Sequence, residues 1–243
     1  MEKVLLMYSG GLDSFLSACR LIKAGYQVLL IHFDNGSIIG TEYIEIGANL
    51  LKERFGKRIE YLGIVSTAGI NMRLKKIENQ KLSTIAMNFG NTTLSQYQCL
   101  VCRSAMYYYA AAICLEKGIH YVAEGARKSQ KFAIEQTPIL EEYSKFLKQY
   151  EIDLLLPVFD LEDDVEKILE INEWGYPAIP YESKCLLGYH LEDEYPVDDE
   201  IIEGTLNIFK SIIRPELDKL MNDENSKNII KHLEYPKDKV TWY

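Results

Sequence analysis

A chain of 243 residues, 47% hydrophobic and 26% charged, is long enough to bury a substantial core in one large domain or two small ones, and its composition excludes disorder. Lys and Arg number 27 against 36 Asp and Glu, a formal charge of -9, so a broad nucleic-acid groove has little global help, although a local cluster can still hold phosphates. The N-terminal apolar stretch breaks at Tyr8-Ser9-Gly10-Gly11, too early for a signal peptide or a membrane span, and a cytoplasmic protein is expected.

In chain order, Val4 to Met7 reads as a short strand that stops at a glycine pair. Phe15, Leu16, Cys19, Leu21 and Ile22 then recur at helical spacing until Gly25, and Val28 to Phe33 reads as a second buried strand. Such a strand-loop-helix-strand unit calls for a parallel sheet with helices on its faces. The pattern repeats with a helix over Glu42 to Phe55 and a strand over Ile59 to Val65. Residues 69–95 are polar and weakly periodic, with a helix over Ile70 to Asn79, and could carry the substrate-facing part.

A helix over Arg103 to Gly118, a strand over Ile119 to Glu124, a helix over Glu141 to Tyr150, a short strand over Ile152 to Leu156 and a helix from Asp163 to Trp174 follow. The expectation is an α/β fold, an open parallel sheet with flanking helices, over residues 1–190. Residues 191–243 form a helical C-terminal extension, built on the amphipathic pattern from Ile201 to Leu220, which packs on the domain or, in a homodimer, on a second subunit.

Ser9, Gly10, Gly11, Leu12, Asp13 and Ser14 lie between a strand and a helix. Two glycines let backbone N–H groups approach an anion, Ser9 and Ser14 add hydroxyls, and the helix N-terminus supplies positive potential, all of which suits phosphoryl oxygens. Asp13 makes sense there as a ligand to magnesium bridging the phosphates or as a cap for the adjoining backbone. His32, Phe33, Asp34 and Asn35 end the second strand beside this loop, at the sheet edge where such folds bind ligands. After the strand ending near Ala123, the segment from Glu124 to Gln130 contains Gly125, Arg127 and Lys128, which with Lys131 are natural cations for phosphate charge.

The first loop matches SGGxDS, and on it the chain resembles the PP-loop superfamily, the N-type ATP pyrophosphatases with their adenine-nucleotide-alpha-hydrolase-like fold. The resemblance implies cleavage of ATP between the α and β phosphates: a substrate oxygen is adenylated, a nucleophile displaces AMP, and Ser9 to Ser14 hold pyrophosphate. It also places the adenosine near His32 and Phe33 and makes the Gly125, Arg127 and Lys128 segment a second ATP contact.

Of five cysteines, Cys19 and Cys114 fall on apolar helix stripes and read as core. Cys99-Leu100-Val101-Cys102 stands at the expected start of a helix, a placement that lowers thiolate pKa values and favours metal binding or nucleophilic sulfur. Cys185 lies in a loop that could return to the same place. Zinc could take these three thiols with His190 or a carboxylate, and an iron-sulfur cluster could use the three and leave one iron open. The arrangement looks like that of the sulfur-handling branch, the TtuA- and TtcA-like tRNA 2-thiolation enzymes with a [4Fe-4S] cluster. Cys99, Cys102, Arg103 and Cys185 also resemble LarE, and QueC is a more distant likeness whose zinc site uses four cysteines.

Adenylation of a substrate oxygen on a small molecule or a tRNA is therefore expected, followed by sulfur insertion. Asp13, Lys128, Cys99 and Cys102 would carry the chemistry, with ATP, magnesium and an iron-sulfur or zinc centre as cofactors and a sulfur donor as partner. Two alternatives stay open: an amidating or nitrile-forming enzyme with structural zinc, and a nucleotide-binding regulatory protein docked through Ile201 to Leu220. Tyr107, Tyr108 and Tyr109 could stack a base or pack in the core. Lys75-Lys76 and Lys145 to Lys148 could touch RNA, or read as solvated faces.

Overall fold

The computed structural model describes residues 1–79, 92–130, 132–181, 183–186 and 197–223. The first half runs β1 (Lys3–Met7), α1 (Leu12–Lys23), β2 (Gln27–Asp34), β3 (Ile38–Ile39), α2 (Glu42–Phe55), β4 (Ile59–Ser66) and α3 (Ala68–Asn79). The second half runs α4 (Leu94–Lys117), β5 (Tyr121–Glu124), α5 (Thr137–Lys148), β6 (Asp153–Leu155), α6 (Asp164–Glu173) and β7 (Lys184–Cys185). It closes with α7 (Asp199–Ile208), a π-helical turn (Phe209–Ile213) and α8 (Arg214–Asn222).

Among the described residues, five strands pair in parallel in the order β4-β2-β1-β5-β6. Alternation along β1 sends Val4 and Leu6 to the face covered by α1 and α2, and Leu5 and Met7 to the face covered by α4, α5 and the C-terminal helices. Both faces are buried, which is why β1 and β2 read as continuous apolar runs rather than alternating ones. The chain leaves β1 toward β2 and β4, then returns on its other side as β5 and β6. The switch in strand order falls between β1 and β5, where open α/β sheets leave a crevice at the carboxyl ends.

The C-terminal helices complete this core: Phe209, Ile213 and Leu217 are fully buried, and Phe209 meets Tyr143 edge to face at 4.9 Å. Tyr143 stacks on Tyr107 at 4.1 Å. Tyr107, Tyr108 and Tyr109 are all core residues, so the base-stacking role considered for them gives way to packing.

One correction concerns α4. It begins at Leu94, ahead of the expected Arg103, and Thr93 caps it by accepting from the Gln96 N–H at 3.2 Å. Cys99 and Cys102 consequently sit inside the helix, beyond the first turn where the dipole acts. The long polar opening of the helix conceals its start, although Thr93-Leu94-Ser95-Gln96 is itself a capping-box pattern.

Gly125 joins β5 to the phosphate loop. A Cβ there would stand 2.8 Å from the Ser14 nitrogen and 2.9 Å from the Asp13 carbonyl carbon, both backbone atoms with little room to yield. Gly125→Ala is expected to push the two loops apart and cost about 1–3 kcal/mol, as overpacking does. Thermal melts would show it, and an unchanged midpoint would mean that the loops are not locked together.

Candidate active site

A cavity of about 370 Å³ opens at the switch point. Ser9, Gly11, Asp13 and Ser14 line one part of it, and His32, Phe33, Asn35, Cys99, Cys102 and Cys185 line others. Gly10 takes a left-handed φ of 82°, which turns the chain out of β1. Gly11 is the N-cap of α1 and offers no side chain to its first-turn amides, leaving that helix end open to an anion. Ser9 Oγ stands 3.2 Å from Ser14 Oγ and accepts from the Gly11 N–H at 3.2 Å, while Ser14 Oγ donates to the Gly11 carbonyl at 3.0 Å.

Behind the loop, Asp13 is already neutralised. Its Oδ1 lies 2.9 Å from Arg127 Nε and 3.1 Å from Lys167 Nζ, and its Oδ2 accepts from Gln130 Nε2 at 3.2 Å. The Arg127 contact is an ion pair by distance, without hydrogen-bond alignment. Both cations also meet Asp164 Oδ1 at 2.9 Å. Lys167 is a residue that sequence reading misses. The acidic start of α6 draws attention instead, and only the turn spacing from Asp164 to Lys167 hints that the lysine faces inward.

Arg127 and Lys128 do not line the cavity. Arg127 supports Asp13 from behind, and Lys128 is exposed, its backbone N–H donating to the Phe159 carbonyl at 3.1 Å. Lys131 lies outside the described residues. His32 is 4% exposed, its Nδ1 stands 3.0 Å from the Tyr8 carbonyl, and burial pushes its pKa down. The Tyr8 carbonyl can only accept, so Nδ1 carries the proton and Nε2 keeps a lone pair.

Cys185 reaches the site through the two-residue antiparallel ladder of β3 and β7, in which Ile38 faces Cys185. Asn35 ties it to the α4 cysteines: its Nδ2 donates to Cys102 Sγ at 3.1 Å and stands 4.0 Å from Cys185 Sγ. The Ser37 N–H fixes the amide by donating to Asn35 Oδ1 at 2.8 Å. Burial pushes the Cys99 thiol up to about 12, with Cys102 and Cys185 adding to the rise. Cys102 is also raised by burial, against the Asn35 hydrogen bond. The thiolate lowering expected from a helix start is thus reversed: desolvation outweighs a dipole whose end lies further up α4.

Cys19 and Cys114 are fully buried in the core. The other three thiols are free and share one cavity, a soft donor set suited to a thiophilic centre. Among the described residues, no group of three or more His, Cys, Asp or Glu side chains could hold a metal ion as placed. His190 lies outside those residues.

The floor beside the cysteines is a buried ionic network. Arg103, one residue past Cys102, binds Glu124 through Nη1 and Glu135 Oε1 through Nη2 at 2.9 Å. Glu124 also accepts from the Tyr107 hydroxyl at 2.7 Å, whereas the second oxygen of Glu135 accepts the Arg127 N–H at a longer 3.4 Å. Burial pushes Glu135 up to about 7, with Arg103 opposing and Glu124 reinforcing. Between the ordinary carboxylate range and about 7 the folded protein holds a proton that the unfolded chain has released, so stability is lost as pH rises through that window. Glu135→Gln is expected to flatten this dependence and to raise stability at pH 8 by on the order of 1–3 kcal/mol. Thermal melts from pH 5 to 8 check it, and parallel curves for the two proteins would contradict it.

Among the described residues no helix is long and apolar enough to cross a membrane. Residues 1–133 match the family model described as "Thiamine biosynthesis protein (ThiI)". The chain is 25% identical over 128 residues to a "Probable tRNA sulfurtransferase" of Methanothermobacter thermautotrophicus, covering 53% of this chain and 30% of that protein. It is 24% identical over 128 residues to the protein so named in Methanobrevibacter smithii, with the same 53% and 30% coverage. The matched region thus spans under a third of the length of these relatives. The fold is similar to the crystal structure described as "a 4-thiouridine synthetase - RNA complex with bound ATP", with a TM-score of 0.58, 18% identity, and coverage of 89% of this chain and 53% of that one. With more than half its length matched by the family model and its phosphate loop at the head of a parallel α/β sheet, the chain belongs to the ThiI family, on the sulfur-transferring branch of the PP-loop ATP pyrophosphatases.

Proposed function

We propose that this protein uses ATP to adenylate a carbonyl oxygen on a nucleobase of tRNA and then replaces that oxygen with sulfur. The observation that carries the reading is that the phosphate loop and the three free cysteines line one cavity. Activation and sulfur delivery can then share a single bound intermediate, without its release into water. The relatives' names support tRNA as the acceptor.

ATP lies with its β and γ phosphates against Ser9 to Ser14 and the open end of α1, and its adenosine toward His32 and Phe33. The acceptor oxygen attacks the α phosphorus, and the bond to the bridging oxygen of the β phosphate breaks, releasing pyrophosphate. Sulfur supplied by a separate donor then bonds to the activated carbon, and AMP departs with the original oxygen. Asp13 holds Arg127, Lys167 and Gln130 in register behind the loop, and its carboxylate is the group that would hold a magnesium ion, which would supply positive charge for the phosphates. Gly125 keeps the second loop close against the first.

Cys99, Cys102 and Cys185 hold the sulfur-delivering centre. These three thiols would hold an iron-sulfur cluster, which would supply iron able to carry sulfide, while zinc there would make the site structural. Incubation with ATP, unmodified tRNA and a sulfur donor is expected to release AMP and pyrophosphate and to give thiolated RNA. ADP and inorganic phosphate as the products would contradict the reading.

A further inference from the structure

Three polar side chains of the cavity have no part in the chemistry above. Asn71 and Lys75 lie one helical turn apart on α3, and Gln98 precedes Cys99 on α4. Ile70 and Leu74, from the same stretch of α3, pack into the core alongside Leu100 and Val101 of α4, which fixes the wall that carries them. Asn71 is 4% exposed, and Lys75 and Gln98 are partly buried. Among the described residues, none of the three side chains has a hydrogen-bond or ion-pair partner. Their polar atoms are not among those sealed in the core but face the cavity, where a ligand can meet them.

Charge narrows what that is. Of the other ionic groups facing the cavity, Asp13 is held by Arg127 and Lys167, and Arg103 is held between Glu124 and Glu135. Lys75 faces the cavity with no counter-ion among the described residues, within electrostatic reach of Cys102. The ATP phosphates already have the Ser9 to Ser14 loop, so Lys75 is available to a different anion. Asn71 and Gln98 each present a donor and an acceptor, the complement of a carbonyl flanked by N–H. A carbonyl and N–H edge with a phosphate attached is the chemistry of a nucleotide whose base carries a lactam, uridylate among them.

We infer that Asn71, Lys75 and Gln98 form the acceptor subsite, in which the two amides hold the base edge and Lys75 holds its phosphate. The inference rests on the proposed reading that the acceptor is a nucleobase. It gives α3 a task and makes Lys75 a cavity residue rather than part of a solvated basic face.

The test is calorimetric titration of the full chain with uridine 5′-monophosphate and with uridine, in the presence of a non-hydrolysable ATP analogue. In the wild type the monophosphate is expected to bind about tenfold more tightly than uridine, the scale of one charged contact. Lys75→Ala should remove that difference, and Lys75→Glu should invert it. Asn71→Leu and Gln98→Leu should weaken both probes alike by about tenfold. Absence of monophosphate binding in the wild type would overturn the inference, as would a Lys75→Ala protein that keeps the phosphate preference or loses affinity for the ATP analogue instead. Normal probe binding without AMP release would count against the adenylation reading and leave the subsite standing.

Discussion

Asp13→Ala is expected to abolish AMP formation, by about 10³-fold or more, while costing the fold less than loss of a buried carboxylate ordinarily does. Arg127 and Lys167 have only 9% and 8% of their side chains exposed, and both lean on Asp13 Oδ1. Stripping a partner from buried charges costs about 3–5 kcal/mol when nothing replaces it. Here Asp164 remains at 2.9 Å from each cation, and it is 67% exposed, so water also reaches the cluster. A loss of about 1–2 kcal/mol is therefore expected, small beside the catalytic defect. Asp13→Asn separates the roles. It keeps an oxygen for the two cations but loses the charge, so a folded Asn variant with no AMP release would show that the carboxylate is needed for turnover itself. Wild-type rates of AMP release from either variant would remove Asp13 from the mechanism.

The second large effect is expected at the cysteines, and it should split the reaction in two. Cys102→Ala and Cys185→Ala should still release AMP and pyrophosphate with the acceptor present, because neither sulfur contacts Ser9 to Ser14 in any hydrogen bond. Thiolated product should fall by about 10²-fold or more, the cost of a reacting group out of place. The Asn35 amide ties these two sulfurs together, so loss of either should also disturb the other. Cys114→Ala, a core substitution, should affect stability and leave the partition between AMP and thiolated product unchanged. Sulfur transfer surviving loss of Cys102 and of Cys185 would dissociate the thiols from delivery.

Strands, helices and the phosphate loop are legible in the sequence because each is a local pattern. β1 and β2 show as apolar runs, and Gly10-Gly11 between β1 and α1 marks the turn. What escapes is set by contacts distant in the chain. The sequence groups Cys185 with the other cysteines but hides the route that brings it there, through β3 and β7, each only two residues long and too short to display any period. Lys167 serves Asp13 across the sheet edge, and no spacing rule links positions so far apart. The CxxC placement misleads for a different reason: the early turns of α4 are polar, so the helix reads from Arg103 and the thiols look as if they cap it. Burial then decides their protonation, against the direction a helix start would give. Lys75 escapes because a paired Lys75-Lys76 resembles a solvated face until α3 is seen to turn the first of them into the cavity.

The central claim is that one cavity activates the acceptor with ATP and delivers sulfur to it. It is tested most directly by counting both products in one reaction, using ATP labelled at the α phosphate together with a labelled sulfur donor and unmodified tRNA. AMP, pyrophosphate and thiolated nucleotide in equal amounts, all lost together in Asp13→Ala, is the predicted result. Sulfur incorporated without AMP, or label recovered as ADP, would contradict the account.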